Sequence, residues 1–416
     1  MASNKNVIVG YDAVSPLGTD LGEQWGRAVR GESGIGRLTR FPAAAGFPVQ
    51  IAGEVPEFDA APYPFLSPRS LALWPSPIFK HALLVVHRAL AESGITITPT
   101  LAPRVAVTFS SAIGGQDAVL SADRRLIAEG RLPPPYANPN ACINMVGGKI
   151  AMLTGATGPI TATITACATG LTSVIVGGLL LDAGRADVAI CGAADFALVE
   201  PIVAGFATMN AAFQEKPGRP EEPPQAASRP FSIDRRGFVI AEGAAAIILT
   251  TSDFAHAHGL KPGVEIAGWG MTSDARHFVA PNLKTVARCM AESVDNAGIS
   301  LHAIAAVNAH AASTKIGDLV EVEALKALFG GRVPPVSANK SMIGHAMGAS
   351  SAIETLLAAE GMLKDTLLPT INYSPDPELV LDCVPEGARR LPQEFVLKNS
   401  FGFGGCNTCA VLRRIG

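Results

Sequence analysis

A cysteine set between small residues is the strongest candidate for a nucleophile in the chain. Cys167 follows a run of β-branched residues at 160–164 and precedes an apolar run of helical spacing that ends at Leu181. This pattern predicts a strand-to-helix turn, and the positive end of a helix favours the thiolate form of a nearby thiol. Ala166 and Ala168 leave space for a substrate carbonyl, and the backbone N–H groups of such a turn can hold an oxyanion. A buried structural cysteine is the alternative interpretation.

Two histidines stand where predicted strands end in loops. His310 follows the apolar run 305–307, and His345 lies in a glycine-rich segment that begins at Lys340. Imidazole gains and loses protons near neutral pH, so two histidines at strand ends with a nearby lysine indicate catalysis more strongly than a lone histidine does. Five other histidines lie in polar or amphipathic helical patterns and are expected to be surface or helix residues: His81, His87, His256, His258 and His302.

Short β-branched runs alternate with segments of helical spacing, which predicts an α/β fold whose sheets are covered on both faces. The predicted strands span residues 7–9, 105–109, 160–164, 188–191, 245–249, 264–266, 305–307 and 409–412. The predicted helices include residues 79–93, 171–183, 283–297 and 320–328. Two polar segments, 214–225 and 250–263, have the composition of linkers, and the second separates two groups of strands. We therefore expect two halves that meet near residue 255.

Composition excludes several classes of protein. The chain has 416 residues, of which 48% are hydrophobic and 17% charged, so it can bury a large core. A net charge of −3 gives no indication of nucleic acid binding. The most apolar stretch, 171–181, is shorter than the roughly 18 residues of a membrane span, and no apolar leader precedes residue 7. We expect a cytoplasmic protein without a membrane span.

The seven cysteines do not have the spacing of a zinc site. Cys406 and Cys409 are the one pair with two residues between them, and neither a second pair nor a nearby histidine accompanies them. We therefore expect no bound metal.

The order of short motifs along nearly the whole chain resembles that of the β-ketoacyl carrier-protein synthases, decarboxylating condensing enzymes of the thiolase-like superfamily. The motifs lie at 14–18, 166–168, 226–231, 236–239, 308–310, 340–345, 369–372 and 399–407. The spacings from Cys167 to His310 and from His310 to His345 are also typical of that family.

The resemblance implies a five-layered α-β-α-β-α fold built from two similar halves. In this chain the halves would be residues 1–255, with the nucleophilic cysteine, and 256–416, with both histidines. It also implies a homodimer whose shared edge is the strand leading to Cys167, although a heterodimer with a homologous subunit is an alternative. No resident cofactor is implied, because the phosphopantetheine arm of an acyl carrier protein brings the substrates.

The resemblance also assigns roles to individual residues. Cys167 is similar to the cysteine that takes an acyl group as a thioester, and His310 and His345 to the pair that binds malonyl-carrier-protein and stabilises the enolate formed as CO₂ leaves. Lys340 resembles the lysine that supports this pair, with Glu354 as its acidic partner. A surface salt bridge is the alternative for those two residues.

A loop near the C-terminus resembles the gate of the acyl pocket. The backbone N–H groups of Cys167 and Phe403 are similar to the family's oxyanion hole, and the loop that includes Gly402 and Gly404 is similar to its gate. Ile113 resembles the side chain against which this gate closes, with ordinary core packing as the alternative.

Several positions depart from the family pattern. Ala311 and Ala312 follow the first histidine where the family usually has glycine and threonine, so we expect a drier or narrower donor-side pocket; Thr314 is retained. Asn210 stands where many relatives carry an arginine that contacts the carrier protein. The strongest remaining cluster of positive charge, which we assign to docking of an acidic carrier protein, consists of Arg124, Arg125 and Arg131. A solvated helix face is the alternative.

Two other functions remain to be weighed. A non-catalytic partner subunit that shapes the chain-length pocket of an active homologue would lack the nucleophile, whereas Cys167 is present. A degradative thiolase would use a second cysteine as a base, and Cys406 lies in the C-terminal glycine-rich loop.

The substrate is either a fatty acid or a specialised polyketide. The departures at 311–312 and 210, with the proline-rich insert 216–225, favour the specialised pathway.

Overall fold

The structure is a computed structural model that describes residues 5–44, 46–215 and 222–415. Residues 216–221 of the proline-rich insert therefore lie outside the described residues. The strands are β1 (Asn6–Val14), β2 (Ile35–Arg37), β3 (Ile51–Gly53), β4 (Val105–Ser110), β5 (Ile160–Thr161), β6 (Val188–Phe196), β7 (Glu242–Thr251), β8 (Val264–Ser273), β9 (Ile304–Asn308), β10 (Val336–Ser337), β11 (Thr366–Leu367), β12 (Arg389–Arg390), β13 (Phe395–Gly402) and β14 (Cys406–Arg414).

Thirteen α-helices occur in the described part of the chain. They are α1 (Leu21–Val29), α2 (Pro68–Leu73), α3 (Pro77–Ser93), α4 (Gln116–Glu129), α5 (Ala137–Ala141), α6 (Asn144–Thr154), α7 (Thr169–Asp182), α8 (Glu200–Thr208), α9 (Ser252–Ala257), α10 (Leu283–Ala297), α11 (Lys315–Phe329), α12 (Lys340–Ile343) and α13 (Ala349–Leu363). Among these, none combines the length and the apolar character that crossing a bilayer requires.

The main sheet contains the same strand order twice. Its first five strands run β5-β4-β6-β7-β1 and its other five run β10-β9-β13-β14-β8 from the opposite edge. If the five strands of each set are numbered in chain order, both sets have the spatial order 3-2-4-5-1 from the edge of the sheet to its centre. In both sets the strand pairs near the edge are parallel and those near the centre are antiparallel. The two sets join where the start of β1 pairs with the start of β8. This repeat confirms the expectation of two similar halves.

Alternating side chains in the strands produce the five layers. Val105 and Val107 of β4 pack with α3, whereas Ala106 between them packs in the cluster that contains α7 and α13. In the second half, Val411 packs in the cluster that contains α10 and α11, whereas Ala410 faces α7 and α13. Each set of strands is therefore covered on both faces, and α7 and α13 form the shared middle layer.

The middle helices approach each other through small residues. The backbone N–H of Gly170 donates to the carbonyl of Gly348 at 3.0 Å, and a Cβ on Gly170 would lie 2.7 Å from the Cβ of Ala352. This contact brings the start of α7, just after Cys167, against the start of α13, just after His345. The packing of the two halves therefore places the predicted nucleophile beside a predicted histidine.

Two expectations about secondary structure were wrong. The strand expected at 160–164 is limited to Ile160–Thr161, because β5 is an edge strand that pairs in the described chain with β4 alone. The segment 250–263, expected to be a linker, instead contains the end of β7 and the helix α9, whose first turn is capped by the Thr251 hydroxyl accepting from the Phe254 N–H at 3.2 Å.

Candidate active site

The turn that carries Cys167 is a strained elbow held by a threonine. Ala166 has φ of +49°, an unfavourable backbone conformation for a residue with a side chain. The Thr169 hydroxyl accepts from the N–H of Thr165 at 3.0 Å and donates to the carbonyl of Ala166 at 2.7 Å. These bonds stabilise the elbow, and Cys167 follows in a 3-10 turn before α7 begins.

Cys167, both predicted histidines and Phe403 line one cavity of about 1540 Å³. Part of its wall is an apolar cluster formed by the buried Phe238, Ala312 and Met347 and the partly buried Ile113 and Phe206. The elements of both halves therefore converge on a single pocket, as the sequence motifs predict. Its apolar wall fits a hydrocarbon chain.

The thiol of Cys167 is protonated in this setting, contrary to the expectation of a thiolate. Burial raises the pKa of the Cys167 thiol to about 11, although Lys340 and the backbone N–H groups of Phe403 and Cys167 act in the opposite direction. The sequence indicates a nearby helix start but not the extent of desolvation, which dominates here. The backbone N–H groups of Phe403 and Cys167 nevertheless favour the charged sulfur, as expected of donors to a developing negative charge.

The two histidines are paired and neutral. Their ring centroids are 5.6 Å apart; His345 is buried and His310 is half-buried. Burial, reinforced by the positive charge of Lys340, holds the pKa of each imidazole well below its usual value. A neutral imidazole still carries one N–H group, so both rings can donate hydrogen bonds without acting as strong acids.

A serine contacts one nitrogen of His345. The Nδ1 atom of His345 lies 3.0 Å from the hydroxyl of Ser350, at the first turn of α13. When this hydroxyl donates to Nδ1, the proton of the neutral ring resides on Nε2, which is then the hydrogen-bond donor. Sequence analysis did not identify Ser350, because a small polar residue at a helix start is common.

Both the backbone N–H and the backbone carbonyl of His310 form hydrogen bonds with buried charged side chains. Its N–H donates to Glu321 at 2.9 Å, and its carbonyl oxygen accepts from the Nζ atom of Lys340 at 2.6 Å. The N–H of Ala311 donates to the other oxygen of Glu321 at 2.7 Å. Glu321 thus fixes the segment after the first histidine from the adjacent helix α11, and sequence analysis missed it.

Lys340 and Glu354 form a buried ion pair rather than a surface salt bridge. The Nζ atom of Lys340 lies 2.6 Å from Glu354, and the two side chains are 1% and 0% exposed. The second oxygen of Glu354 accepts from Lys398 at 2.9 Å, and Lys398 is also fully buried. The predicted pair is therefore part of a larger charged cluster, of which Lys398 was not predicted.

The gate loop touches the nucleophile elbow. A Cβ on Gly402 would lie 2.3 Å from the carbonyl oxygen of Thr165, so only glycine permits this approach. Gly404 has φ of +80°, and its N–H donates to the carbonyl of Phe278 at 2.8 Å. Phe403, between these glycines, is therefore held on both sides beside Cys167.

A buried aspartate holds the loop that contains Ile113. Asp195 accepts from the N–H of Ile113 at 3.0 Å and from the hydroxyl of Ser111 at 2.6 Å. It also accepts from the N–H of Ala349 at 3.2 Å, which connects this loop to the start of α13. Burial raises the pKa of Asp195 to about 6, against the hydrogen bonds that favour its charged form. Sequence analysis assigned no role to Asp195.

The remaining predicted residues lie at the mouth or away from the cavity. Thr314 lines the cavity immediately before α11, and Asn210 is exposed at its mouth. The three predicted docking arginines lie on or just after α4 and are absent from the cavity's described lining: Arg124 and Arg131 are exposed, and Arg125 is half-buried. His81 lies in the helix α3, within the expectation of a surface or helix residue, and it is buried with its ring stacked on Phe196, centroids 4.1 Å apart.

Comparison with known proteins agrees with this geometry. Residues 4–255 match the model of the N-terminal domain of beta-ketoacyl synthases, and residues 264–374 match that of the C-terminal domain. The chain is 35% identical to 3-oxoacyl-[acyl-carrier-protein] synthase 2 of Coxiella burnetii over 428 residues, covering 100% of both chains. It is 33% identical to the enzyme of the same name from Staphylococcus aureus, covering 100% of this chain and 99% of the relative.

Solved structures of ketosynthases have the same fold over the full length. The ishigamide ketosynthase/chain length factor aligns with a TM-score of 0.90 and 30% identity, covering 100% of both chains. A type II polyketide ketosynthase, solved in complex with its acyl-carrier protein, aligns with a TM-score of 0.89 and 27% identity, covering 99% of this chain and 100% of that one. Both domain matches, the full-length relatives and the convergent cavity show that the chain belongs to the β-ketoacyl synthase family.

Proposed function

We propose that this protein catalyses the decarboxylative Claisen condensation of an acyl group held on Cys167 with malonyl-carrier-protein, which gives 3-oxoacyl-carrier-protein. The observation that carries the proposal is the convergence of Cys167, His310, His345 and Phe403 on one cavity. This set combines a nucleophile, two neutral hydrogen-bond donors and a backbone N–H beside the sulfur, which are the groups that each step of the reaction requires.

In the first step the thiol of Cys167 attacks the thioester of an acyl-carrier-protein. The N–H groups of Cys167 and Phe403, which favour negative charge at this position, stabilise the oxyanion of the tetrahedral intermediate. The intermediate collapses with cleavage of the bond to the pantetheine sulfur. The proton that Cys167 loses ends on that departing sulfur, so the step releases a neutral carrier-protein thiol and leaves a thioester on Cys167.

In the second step malonyl-carrier-protein loses CO₂. The electron pair of the breaking carbon–carbon bond moves onto the thioester carbonyl as an enolate, and the N–H groups of His310 and His345 stabilise that oxygen. Neutral rings suit this role, because a positively charged imidazolium would protonate the carbanion before it reacts. The lowered pKa of both histidines keeps the rings neutral throughout the physiological range.

In the third step the carbanion attacks the carbonyl carbon of the Cys167 thioester. The new carbon–carbon bond forms, the tetrahedral oxyanion again lies at the N–H groups of Cys167 and Phe403, and the Cys167 thiolate leaves. One proton taken up from solvent restores the thiol. The apolar wall around Ile113, Phe206 and Met347 accommodates the acyl chain during this step.

The two substrates arrive on the phosphopantetheine arm of an acyl carrier protein, and no resident cofactor takes part. The exposed residues Asn210 and Lys315 line the same cavity as Cys167, so the cavity connects the nucleophile with the surface. The surface we assign to the acidic carrier protein lies on or beside α4 and consists of the exposed Arg124 and Arg131 and the half-buried Arg125. The related ketosynthase solved with its acyl-carrier protein supports a partner of this class.

The protein acts as a dimer through the edge strand β5. Ile160 and Ile164 in this region are 45% and 47% exposed, although both are large and apolar. An antiparallel copy would satisfy the open edge of β5 and cover both side chains. We propose a homodimer, with a homologous subunit as the other possible partner, since a solved relative is described as a ketosynthase/chain length factor.

We propose that the two halves, divided at residue 255, contribute different parts of the active site. Residues 1–255 supply the nucleophile and Ile113, whereas residues 256–416 supply both histidines, Lys340 and the gate loop.

All seven cysteines are unpaired thiols, and a reactive thiol is maintained best in a reducing compartment, so the cytoplasm is the proposed location.

Geometry disfavours the two alternative functions. A thiolase would need Cys406 as a base at the reacting atoms, but in the described chain Cys406 is not among the residues that line the cavity with Cys167. A non-catalytic partner subunit would need neither Cys167 nor the buried Lys340–Glu354 pair.

The proposal is tested by incubating the purified protein with acyl-carrier-proteins of increasing chain length and with malonyl-carrier-protein. Intact-mass analysis is expected to show acylated Cys167, then 3-oxoacyl-carrier-protein and one CO₂ per condensation. The chain length that acylates Cys167 fastest separates a primary fatty acid role from the specialised pathway that we favour. Cys167→Ala is expected to lose both acylation and condensation. Condensation of acyl-coenzyme A without CO₂ release would overturn the proposal in favour of a thiolase.

A further inference from the structure

A second lysine is buried behind the histidines. Lys398 lies in β13, between β9 and β14, and its side chain is 0% exposed. An ammonium group in such a place is costly unless it is fully paired. Its Nζ atom donates to Glu354 at 2.9 Å and to the carbonyl oxygen of Asn399 at 2.5 Å. The mechanism described above assigns no role to this residue.

Lys398 closes a ring of hydrogen bonds that passes through the backbone of His310. From Lys398 the ring runs to Glu354, whose other oxygen accepts from Lys340 at 2.6 Å, and Lys340 donates to the carbonyl oxygen of His310 at 2.6 Å. On the other side, the N–H of His310 donates to Glu321 at 2.9 Å. Asn399 completes the ring, because its side-chain Nδ2 donates to Glu321 at 3.0 Å while its backbone carbonyl accepts from Lys398.

The charges in this ring balance only when Lys398 is present. Two lysines face two glutamates, all of them buried. Without the Lys398 ammonium, one oxygen of Glu354 would have no partner in a site that excludes water, and Glu354 would turn both oxygens towards Lys340. Lys340 shares its ammonium between Glu354 and the carbonyl of His310, so a stronger hold by Glu354 weakens its bond to His310.

We propose that Lys398 is a positioning residue for the decarboxylation step: it occupies the second oxygen of Glu354, so that Lys340 stays on the carbonyl of His310 and the imidazole keeps its place in the cavity. The inference rests on the proposed function. It concerns the step in which His310 binds the malonyl thioester, and it leaves the acylation of Cys167 to the elbow and the gate loop, whose contacts do not include Lys398.

The charge of Lys398 also reaches the histidines themselves. It lowers the pKa of both His310 and His345, in addition to the larger effects of burial and Lys340. Removing the charge should therefore raise the pKa of both rings. The titratable and charged groups around His310 are His345 and Lys340 from the 339–345 segment, Glu321 from α11, Lys398 from β13 and Cys167 across the cavity.

The experiment compares Lys398→Met, which keeps the length of the side chain and removes its charge, with the wild type. We expect Cys167 acylation within about threefold of wild type and a loss of malonyl-carrier-protein decarboxylation of about 10²-fold, the cost of a small displacement of a catalytic group. The acid limb of the decarboxylation pH profile is expected to move to higher pH, because both histidines become easier to protonate. Lys326→Met, at an exposed lysine of α11, is the matched control and should behave as wild type.

A double variant keeps the test decisive if Lys398→Met does not fold. Lys398→Met with Glu354→Gln removes one charge of each sign, and the amide oxygen still accepts from Lys340. This variant is expected to fold, to acylate Cys167 and to decarboxylate within about tenfold of wild type, because an uncharged amide holds Lys340 less strongly than the Glu354 carboxylate and leaves it on the carbonyl of His310. Decarboxylation by Lys398→Met within twofold of wild type with an unmoved pH profile, or a loss of about 10²-fold in the double variant, would overturn the inference alone. A wild-type protein without decarboxylation activity would overturn the proposed function first.

Discussion

Gly402 and Thr165 are in closer contact than any other residue type at position 402 would allow. A Cβ on Gly402 would lie 2.3 Å from the carbonyl oxygen of Thr165 and 3.2 Å from the N–H nitrogen of Cys167. The gate loop and the nucleophile elbow are thus in direct backbone contact, although they come from different halves of the chain. This contact sets the distance between the two N–H groups of the proposed oxyanion hole.

Gly402→Ala is therefore expected to push the N–H of Phe403 away from Cys167. Loss of one oxyanion donor reduces turnover by about 10²-fold in acyl-transfer enzymes, and we expect a loss of that order in the rate of Cys167 acylation. The rate is measured by intact mass after mixing with acyl-carrier-protein. Gly148→Ala in α6, where an added Cβ meets nothing within 4 Å, is the control and should acylate normally. Wild-type acylation by Gly402→Ala would show that this contact does not position the donor.

The raised pKa of Cys167 predicts a strong pH dependence of its reactivity. A thiol with a pKa of about 11 is almost entirely protonated at pH 7, and its thiolate fraction rises about tenfold per pH unit until the pKa is approached. Alkylation by iodoacetamide, followed by peptide mass, is expected to accelerate continuously from pH 7 to pH 10. The exposed Cys142 provides an internal reference for reagent access. A plateau of the Cys167 rate below pH 8 would contradict the effect of burial.

Docking of the carrier protein can be separated from chemistry. Reversal of charge at Arg124 and Arg125 is expected to raise the KM for acyl-carrier-protein about tenfold, because an acidic partner is attracted by local positive charge. The reaction with a small acyl-pantetheine mimic should be unchanged. Charge reversal at Arg185 and Arg332, two exposed arginines outside the described lining of the cavity, controls for net charge. An unaltered KM for the Arg124 and Arg125 variant would exclude this surface.

Sequence reasoning succeeded where the chemistry is written in short local motifs. Cys167 and His310 each follow an apolar run and His345 lies in a glycine-rich segment, and the structure brings all three to one cavity. The pair Lys340 and Glu354 was also predicted, and its burial excludes the alternative of a surface salt bridge.

Sequence reasoning failed where polar residues are buried in the sheet. Strand β13 was not predicted, because Lys398, Asn399 and Ser400 interrupt its apolar pattern although all three are buried. Because these three residues are polar, neither the central strand β13 nor the charged cluster that contains Lys398 was predicted. Lys398 ends an apolar run directly before the 399–407 motif, and a lysine in that place is the signal that could have identified this cluster.

Desolvation and edge effects also lie beyond local patterns. The thiol of Cys167 stands near a helix start, as expected, but the depth of the cavity reverses the predicted direction of its pKa. Strand β5 is shorter than its β-branched sequence indicates, because in the described chain it bonds to β4 alone. Both differences depend on what surrounds a segment in three dimensions rather than on its own residues.

The most direct test of the central claim is the behaviour of His310→Ala in the two half-reactions. The account assigns the acylation of Cys167 to the elbow and the gate loop, and the loss of CO₂ from malonyl-carrier-protein to the histidine pair. His310→Ala is therefore predicted to acylate Cys167 at a rate within about threefold of wild type while decarboxylation falls by at least about 10²-fold. Normal decarboxylation of malonyl-carrier-protein by His310→Ala would contradict the account.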